Sequence, residues 1–251
     1  LVTNQGWEIT TTGSHSVFVL DSDRIVAKPV AEIMEGDILL GCLNTPEFDE
    51  ISEINLLDLI KERTPKALDK IVITGFSKTD LKKYEKQEGR KINWDSVSFE
   101  VYNKSFKAGK SIRYFNSKKG KELPVKLEIT PELFRLLGYY TGEGCTYKNG
   151  VLFTFSSKEG KLIEDLLYCV RKVFGKTNIR KRPLYDSALQ IYIEGYLYKI
   201  FFEILGCGER AIKKQVPWLV FNVNEDLKRE FLRAYFKCDG NVKIRKTGFE
   251  I

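Results

Sequence analysis

Two apolar, aromatic-rich runs about a hundred residues apart end alike. One is Leu136-Leu137-Gly138-Tyr139-Tyr140-Thr141-Gly142-Glu143-Gly144, the other Leu232-Arg233-Ala234-Tyr235-Phe236-Lys237-Cys238-Asp239-Gly240. Both read as helices. Both carry small residues at the third and seventh positions, Gly138 and Gly142, then Ala234 and Cys238. Both close on an acid and a glycine. The glycine suits a left-handed helix C-cap. The acid is ill placed there, because a carboxylate in the last turn faces the negative end of the helix dipole, at roughly 0.3–1 kcal/mol. Small residues four apart let two such helices approach closely along one face, bringing Glu143 and Asp239 together at one end. Carboxylates that close repel unless protonated or bridged by a metal. With oxygen ligands and His15 as the single histidine, the hard cation Mg2+ is the expected bridge. A single copy would read as an ordinary helix end; the second copy, with matching small residues, constrains the chain to a helix pair.

These stretches resemble the paired LAGLIDADG (dodecapeptide, DOD-type) motifs of homing endonucleases. The first matches that pattern at Leu136, Gly138 and Gly144, with Glu143 in place of the catalytic Asp. The second matches at Leu232, Asp239 and Gly240, with Ala234 for the first Gly. The resemblance implies an α+β fold whose αββαββα units pack through their acid-ended helices, their antiparallel sheets forming a saddle in the DNA major groove. It implies Glu143 and Asp239 as catalytic metal ligands, Mg2+ as cofactor, and double-strand cleavage of a long asymmetric DNA site. Lys214-Gln215-Val216-Pro217 resembles the Lys-x-[Ile/Val]-Pro block before the second motif of intein nucleases, whose Lys stands near the metal centre. Lys214 takes that catalytic role, with Lys213 as its rival.

From Thr130 the pattern is clean. Thr130-Pro131-Glu132 is an N-cap, a Pro at the first helical position and an acid in the first turn. That helix runs to Thr141 or Gly142. A strand over Val151 to Phe155 follows, then an amphipathic helix opened by Ser157 and closed by Gly175. Asn178 to Arg182 is a basic strand, and Leu189 to Glu194 alternates strictly, so one face is buried and the other presented. Tyr196 to Leu205 is a helix ending at Gly206. A short helix or turn near Trp218 to Phe221 precedes the second long helix, from Asn224 or Glu225 to Cys238. The second unit reads as only begun, with Asn241 to Ile251 after it. Groups that could hold or read DNA sit on these strands: Arg180, Lys181 and Arg182 as a cluster, Gln190 and Tyr192 alternating on the next strand, and Lys243 and Arg245 sharing a face after Asp239. Arg and Gln pair bidentately with guanine and adenine edges, whereas Lys mostly holds phosphate.

The first 45 residues read as short strands and turns: Val17 to Leu20, a polar turn at Asp21-Ser22-Asp23, Ile25 to Ala27, and a turn at Glu35-Gly36-Asp37 before Ile38-Leu39-Leu40. Thr12-Gly13-Ser14-His15 and the strands after it resemble the Thr-x-x-His block of an intein's Hint splicing domain. There the Thr and His polarise the peptide bond at the upstream junction for an acyl shift; those splicing roles carry to Thr12 and His15. That family begins with a Cys or Ser well upstream of the block and ends in His-Asn before a Cys, Ser or Thr. This chain runs from Leu1 to Ile251, so it is expected to be an interior piece that cannot splice alone, its full precursor flanked by host exteins.

Between them, residues 46–125 form an insert or linker, read either as an accessory DNA-contacting region or as a solvated connector. Ile51 to Glu62 has helical periodicity. Ile71 to Ile73 is a strand, Thr79 to Gln87 a charged helix with Thr79 as N-cap, Val97 to Tyr102 a strand, and Lys104 to Lys121 a basic loop or hairpin. The domains are thus 1–45, 46–125 and 126–251.

Charge is distributed unevenly along the chain. Residues 1–100 carry 12 Lys/Arg against 18 Asp/Glu, and residues 101–251 carry 29 against 16. The positive excess lies with both acid-ended helices, where backbone phosphate is the obvious partner. Five scattered cysteines without a C-x-x-C argue for reduced thiols and against zinc. No apolar run spans a membrane and no signal peptide opens the chain, so a cytoplasmic protein is expected; the resemblance implies an archaeal-type intein, monomeric if both nuclease halves are present. Two rivals remain: a non-cleaving DNA binder on the same scaffold, and a free-standing intron-encoded nuclease. The first 45 residues favour the intein, and the retained acids with Lys214 favour cleavage. A plain structural protein leaves the paired acids and the charge split unexplained.

Overall fold

Turn chemistry sets the N-terminal hairpin. Strands β1 (Ser16–Asp21) and β2 (Arg24–Pro29) pair antiparallel, from Ser16 opposite Pro29 to Asp21 opposite Arg24. Ser22 and Asp23 between them have φ of 45° and 68°, the left-handed pair that a two-residue hairpin turn requires. Strand β3 (Ile38–Leu39) adds on the other side of β1. The turn before β3 is tied to β2 by Asp37, whose carboxylate accepts from Lys28 Nζ and from the Met34 amide, both at 2.8 Å. The Lys28 hydrogen bond, then that amide, hold its carboxyl below the usual range. These elements belong to the first of two compact units, Leu1–Glu47 and Phe48–Ile251.

The structure, a computed structural model, describes every residue except 7, 42–49, 90–95, 106–110, 115–121, 185–186, 241–242, 246–247 and 251; for 84, 87–88, 104–105, 114, 239, 243–245 and 248–250 it describes the backbone alone.

The second unit opens with β4 (Glu53–Asn55) and α1 (Leu56–Arg63). The periodicity from Ile51 to Glu62 predicts a continuous helix, and the structure corrects this. Asn55 ends the strand, its side chain accepting from the Leu57 and Asp58 amides, so the helix starts there. Next come β5 (Ile71–Thr74), α2 (Lys78–Glu88), β6 (Ser96–Ser98), α3 (Phe99–Ser105), β7 (Ser111–Tyr114), β8 (Glu122–Pro124) and β9 (Lys126–Glu128). The N-cap of α2 is Ser77 rather than Thr79, because Asp80 returns its carboxylate to the Ser77 amide and completes a capping box. The expected strand through Tyr102 stops at Ser98, which turns the chain into α3 by accepting from the Val101 amide at 3.4 Å. Antiparallel sheets form in the orders β4-β9 and β6-β5-β7-β8. The basic stretch from Lys104 to Lys121 lies largely outside the described residues, β7 being its described strand.

Helix α4 (Pro131–Glu143) begins as the sequence predicts, with Thr130 Oγ1 accepting from the Leu133 amide. Then follow β10 (Gly144–Tyr147), β11 (Gly150–Ser156), α5 (Gly160–Phe174), β12 (Asn178–Pro183), β13 (Ala188–Glu194), α6 (Tyr196–Ile204), α7 (Glu225–Asp239), β14 (Lys243–Arg245) and β15 (Gly248–Glu250). Ser157 does not open α5; its amide donates to the Ser187 carbonyl at 2.6 Å, and the helix starts at Gly160. Strand β10 is the second strand that the αββαββα pattern calls for between these helices, at a place no local periodicity marks. It makes a four-stranded antiparallel sheet, β10-β11-β13-β12, and β14 and β15 pair as a hairpin.

From Leu133 to Tyr140, α4 is buried at every position but Arg135, as a helix at the centre of a fold must be. It packs against α7, α5 and strands β10 and β11. One apolar core joins Ile54 through Leu127 to Leu133 through Ala234. Of the stretch 46–125, read as an insert, Ile54 to Val125 thus shares its core with the rest of the second unit. The whole is a mixed α+β protein of several small antiparallel sheets. Among the described residues no helix is long and apolar enough to cross a membrane.

Candidate functional site

Helices α4 and α7 run parallel in a register that contacts one turn apart define. Toward the N-terminal side, Arg135 bonds Glu230 at 2.9 Å and pairs with Asp165 of α5 at 3.2 Å, while Tyr139 donates to Asp165 at 2.6 Å. One turn on, Gly138 lies against α7. A Cβ there would fall 2.4 Å from the Phe231 carbonyl oxygen and 2.8 Å from the Ala234 Cβ. Residue 135 thus meets 230 and residue 138 meets 234. The same offset sets the last residues, Glu143 and Asp239, at one end of the pair. The side chain of Asp239 lies outside the described atoms.

The two closing glycines are not left-handed. Gly144 has φ −86° and Gly240 φ −79°, and both amides donate back to the helix, to the Tyr140 and Phe236 carbonyls. This corrects the expected C-cap. Glycine is required for space instead: a Cβ on Gly144 would sit 2.6 Å from Tyr140 Cα, and one on Gly240 2.3 Å from the Phe236 oxygen. Backbone pressed that tightly on the last turn lets β10 leave straight from Glu143, so the acid marks the junction of helix and sheet.

Lys214 reaches this junction from the loop after α6. Its ammonium donates to the Gly142 carbonyl, one residue before Glu143. Its rival Lys213 ends an exposed 3-10 turn, Ala211–Lys213. Cys145, two residues past Glu143, is half-buried; burial pushes its thiol up against the opposing pull of Lys214 and Arg210. A protonated thiol is a poor ligand for a hard cation. Among the described residues no three His, Cys, Asp or Glu side chains are grouped so as to hold a metal ion. Residues that could hold a metal at this end are the two acids, Glu143 and Asp239, each at the negative end of its helix. That donor set fits a hard divalent ion whose other ligands are water or phosphate.

The four-stranded sheet has one buried and one open face. Val151, Phe153, Phe155, Ile191 and Ile193 face the helices. Register places the alternate residues together on the open face. Cys145, Leu152, Tyr192 and Arg180 are opposed in one row, and Thr154, Gln190 and Arg182 in another. Tyr147 packs edge-on to Tyr192, with ring centroids 6.0 Å apart, and Arg180 pairs with Glu194 at 3.0 Å. Burial, then the Glu194 carboxylate, raises the Tyr192 phenol, so it remains a hydrogen-bond donor. Lys181 is not with its neighbours. It stands opposite Ile191, on the helix side. Lys243 and Arg245 share a face of β14 by backbone register; their side chains lie outside the described atoms.

In the first unit, Thr12 Oγ1 lies 2.8 Å from His15 Nδ1 and 3.2 Å from Ser14 Oγ. The turn is pinned by the Val30 amide donating to the His15 carbonyl at 2.7 Å and the Ala31 amide to the Gly13 carbonyl at 3.0 Å. When the threonine hydroxyl donates to Nδ1, the ring proton sits on Nε2, turned away from Thr12.

Reading the sequence alone misses Tyr140 and Gly208. The Tyr140 hydroxyl donates to the Gly208 carbonyl at 2.7 Å, and Gly206-Cys207-Gly208 is visible in the sequence only as a glycine-rich loop.

No family model matches the chain. It is 28% identical, over 94% of its length, to the DNA polymerase II large subunit of Thermococcus kodakarensis, covering 14% of that protein. It is 28% identical over 95% of its length to the uncharacterized protein MJ1054 of Methanocaldococcus jannaschii, covering 29% of it. It is 25% identical over 94% of its length to the glutamine–fructose-6-phosphate aminotransferase of the same organism, covering 23%. The chain spans less than a third of each of these relatives. A polymerase and an aminotransferase share no chemistry by name, so what they have in common with this chain is a segment carried inside archaeal proteins of unrelated activity.

Proposed function

We propose that the chain is part of an intein that carries a LAGLIDADG-type endonuclease, and that its second unit cuts double-stranded DNA. The observation that carries the nuclease reading is the parallel α4–α7 pair with Lys214 docked on the turn before Glu143. Recurrence of the segment within proteins of unrelated activity supports the intein reading, since a sequence that travels between a polymerase and an aminotransferase behaves as an insertion.

In this reading Glu143 and Asp239 would hold Mg2+, which supplies Lewis acidity toward phosphate and a more acidic water. Lys214 places a positive charge beside the attacked phosphate. The sheet's open face lies on the duplex, with Arg180, Arg182, Gln190 and Tyr192 presented to it. The one-sided excess of Lys and Arg holds the backbone phosphates. In the first unit, the hydrogen-bonded Thr12 and His15 would polarise the peptide bond at an upstream splice junction.

The test uses a plasmid library of randomised inserts, incubated with the protein and Mg2+, with cut ends sequenced. Glu143→Gln should abolish cutting and leave DNA binding in Ca2+ intact. Cutting by Glu143→Gln at the wild-type rate would sink the site assignment.

A further inference from the structure

Lys214 is held by a closed ring of contacts that begins and ends on the last turn of α4. Tyr140, wholly buried, stacks on Phe202 with centroids 4.0 Å apart and planes 10° apart. Its hydroxyl donates to the Gly208 carbonyl. Gly208 has φ +75°, and the chain folds back on it so closely that a Cβ would lie 1.9 Å from the Lys213 oxygen and 2.9 Å from Lys214 Cα. The Gln215 amide donates to the Cys207 carbonyl at 3.3 Å and closes this turn. From there the Lys214 side chain returns to the Gly142 carbonyl, two residues beyond Tyr140. Burial raises the phenol, so it stays a donor across the working range.

We propose that Tyr140 is a positioning residue for Lys214: through the Gly208 carbonyl, its hydroxyl fixes where the ammonium stands against the acid-ended turn. The catalytic consequence rests on the nuclease reading above; the positioning does not. A long, flexible lysine stem held only at its tip would sample many rotamers, and anchoring the backbone beneath it removes that freedom.

The test acetylates the native, metal-free full chain with an activated ester and measures Lys214 against its neighbour Lys213 by mass spectrometry. In the wild type Lys214 should react more slowly. Tyr140→Phe keeps the ring and its stacking; it should raise the Lys214-to-Lys213 ratio roughly three- to tenfold, the effect of one lost hydrogen bond, with the thermal midpoint little changed. Gly208→Ala, which displaces the same turn from below, should raise it as well and decides the matter if Tyr140→Phe does not fold. An unchanged ratio in a folded variant, or equal labelling of the two lysines in the wild type, overturns the proposal. In single-turnover cleavage, Tyr140→Phe should lower the rate by a similar factor while the Kd for DNA in Ca2+ holds. Raised labelling without any wild-type cleavage would leave the positioning standing and remove the nuclease reading; wild-type cleavage with an unmoved ratio would do the reverse.

Discussion

At the scale of single residues, glycine positions the candidate chemistry by letting backbones touch. Gly138 is where α4 meets α7, and the atoms a Cβ would strike are the Phe231 carbonyl and Ala234, neither of which can swing aside. Gly138→Ala must push the helices apart. It should destabilise the protein by about 1–3 kcal/mol, which for a chain of this size lowers the thermal midpoint by roughly 2–4 °C per kcal/mol. A calorimetric midpoint equal to wild type would mean that the helices are not in contact there. Under the proposed nuclease reading, displacing the end of α4 against that of α7 should also lower the cleavage rate. Gly144 and Gly240 were legible as glycines that had to be there, but the reason was not. The acid-glycine pattern suggests a left-handed cap, whereas each glycine is extended and pressed on the residue four before it. Local sequence cannot tell these apart, because the difference lies in how the next strand leaves the helix.

At the scale of elements, strict alternation in β12 and β13 made one presented face readable, and the pairing register decided which residues occupy it. Three consecutive cations, Arg180, Lys181 and Arg182, look like one cluster in sequence; pleating sends the middle one to the other side. This gives a sharp contrast. If the open face holds DNA as proposed, Arg182→Ala should weaken binding and reduce the slope of log affinity against log salt by about one. Lys181→Ala should leave that slope unchanged, as read by fluorescence anisotropy over a salt series. Equal effects from both substitutions would place DNA somewhere other than the open face. Arg180 is partly committed to Glu194, an exposed pair worth little by itself, so it remains available to phosphate. Three of the boundaries that differ from the sequence reading lie where a side chain redirects the backbone: Asn55, Ser77 and Ser98 each accept from an amide two or three residues on, and such caps outrank hydrophobic periodicity over short spans.

At the scale of the whole molecule, the two units differ in how much core they own. The second buries aromatics and aliphatics continuously from Ile54 to Ala234. The first has Val19 as its one buried hydrophobic residue among those described, while Phe18, Leu20, Ile25 and Ile38 share a face of its sheet and stand exposed. Residues 50–251 produced alone should therefore melt cooperatively, with a midpoint within a few degrees of the full chain. Residues 1–41 alone should give no folding transition by circular dichroism. A midpoint for 50–251 well below that of the full chain would mean that the first unit stabilises the second.

By itself the sequence determined the paired acid-ended helices, the helix start at Thr130-Pro131, the alternating strands and the side of the chain that carries positive charge. These depend on local propensity, capping and periodicity, which a few neighbouring residues settle. Only the tertiary structure decided that Ile54 to Leu127 join the same core, that β10 leaves directly from Glu143, that Lys181 turns away from Arg180 and Arg182, and that the Tyr140 hydroxyl bonds Gly208 while Lys214 returns to Gly142. Each of these depends on atoms brought together by packing and hydrogen bonds between segments far apart in the chain, and no pattern within one segment encodes the partner it will meet.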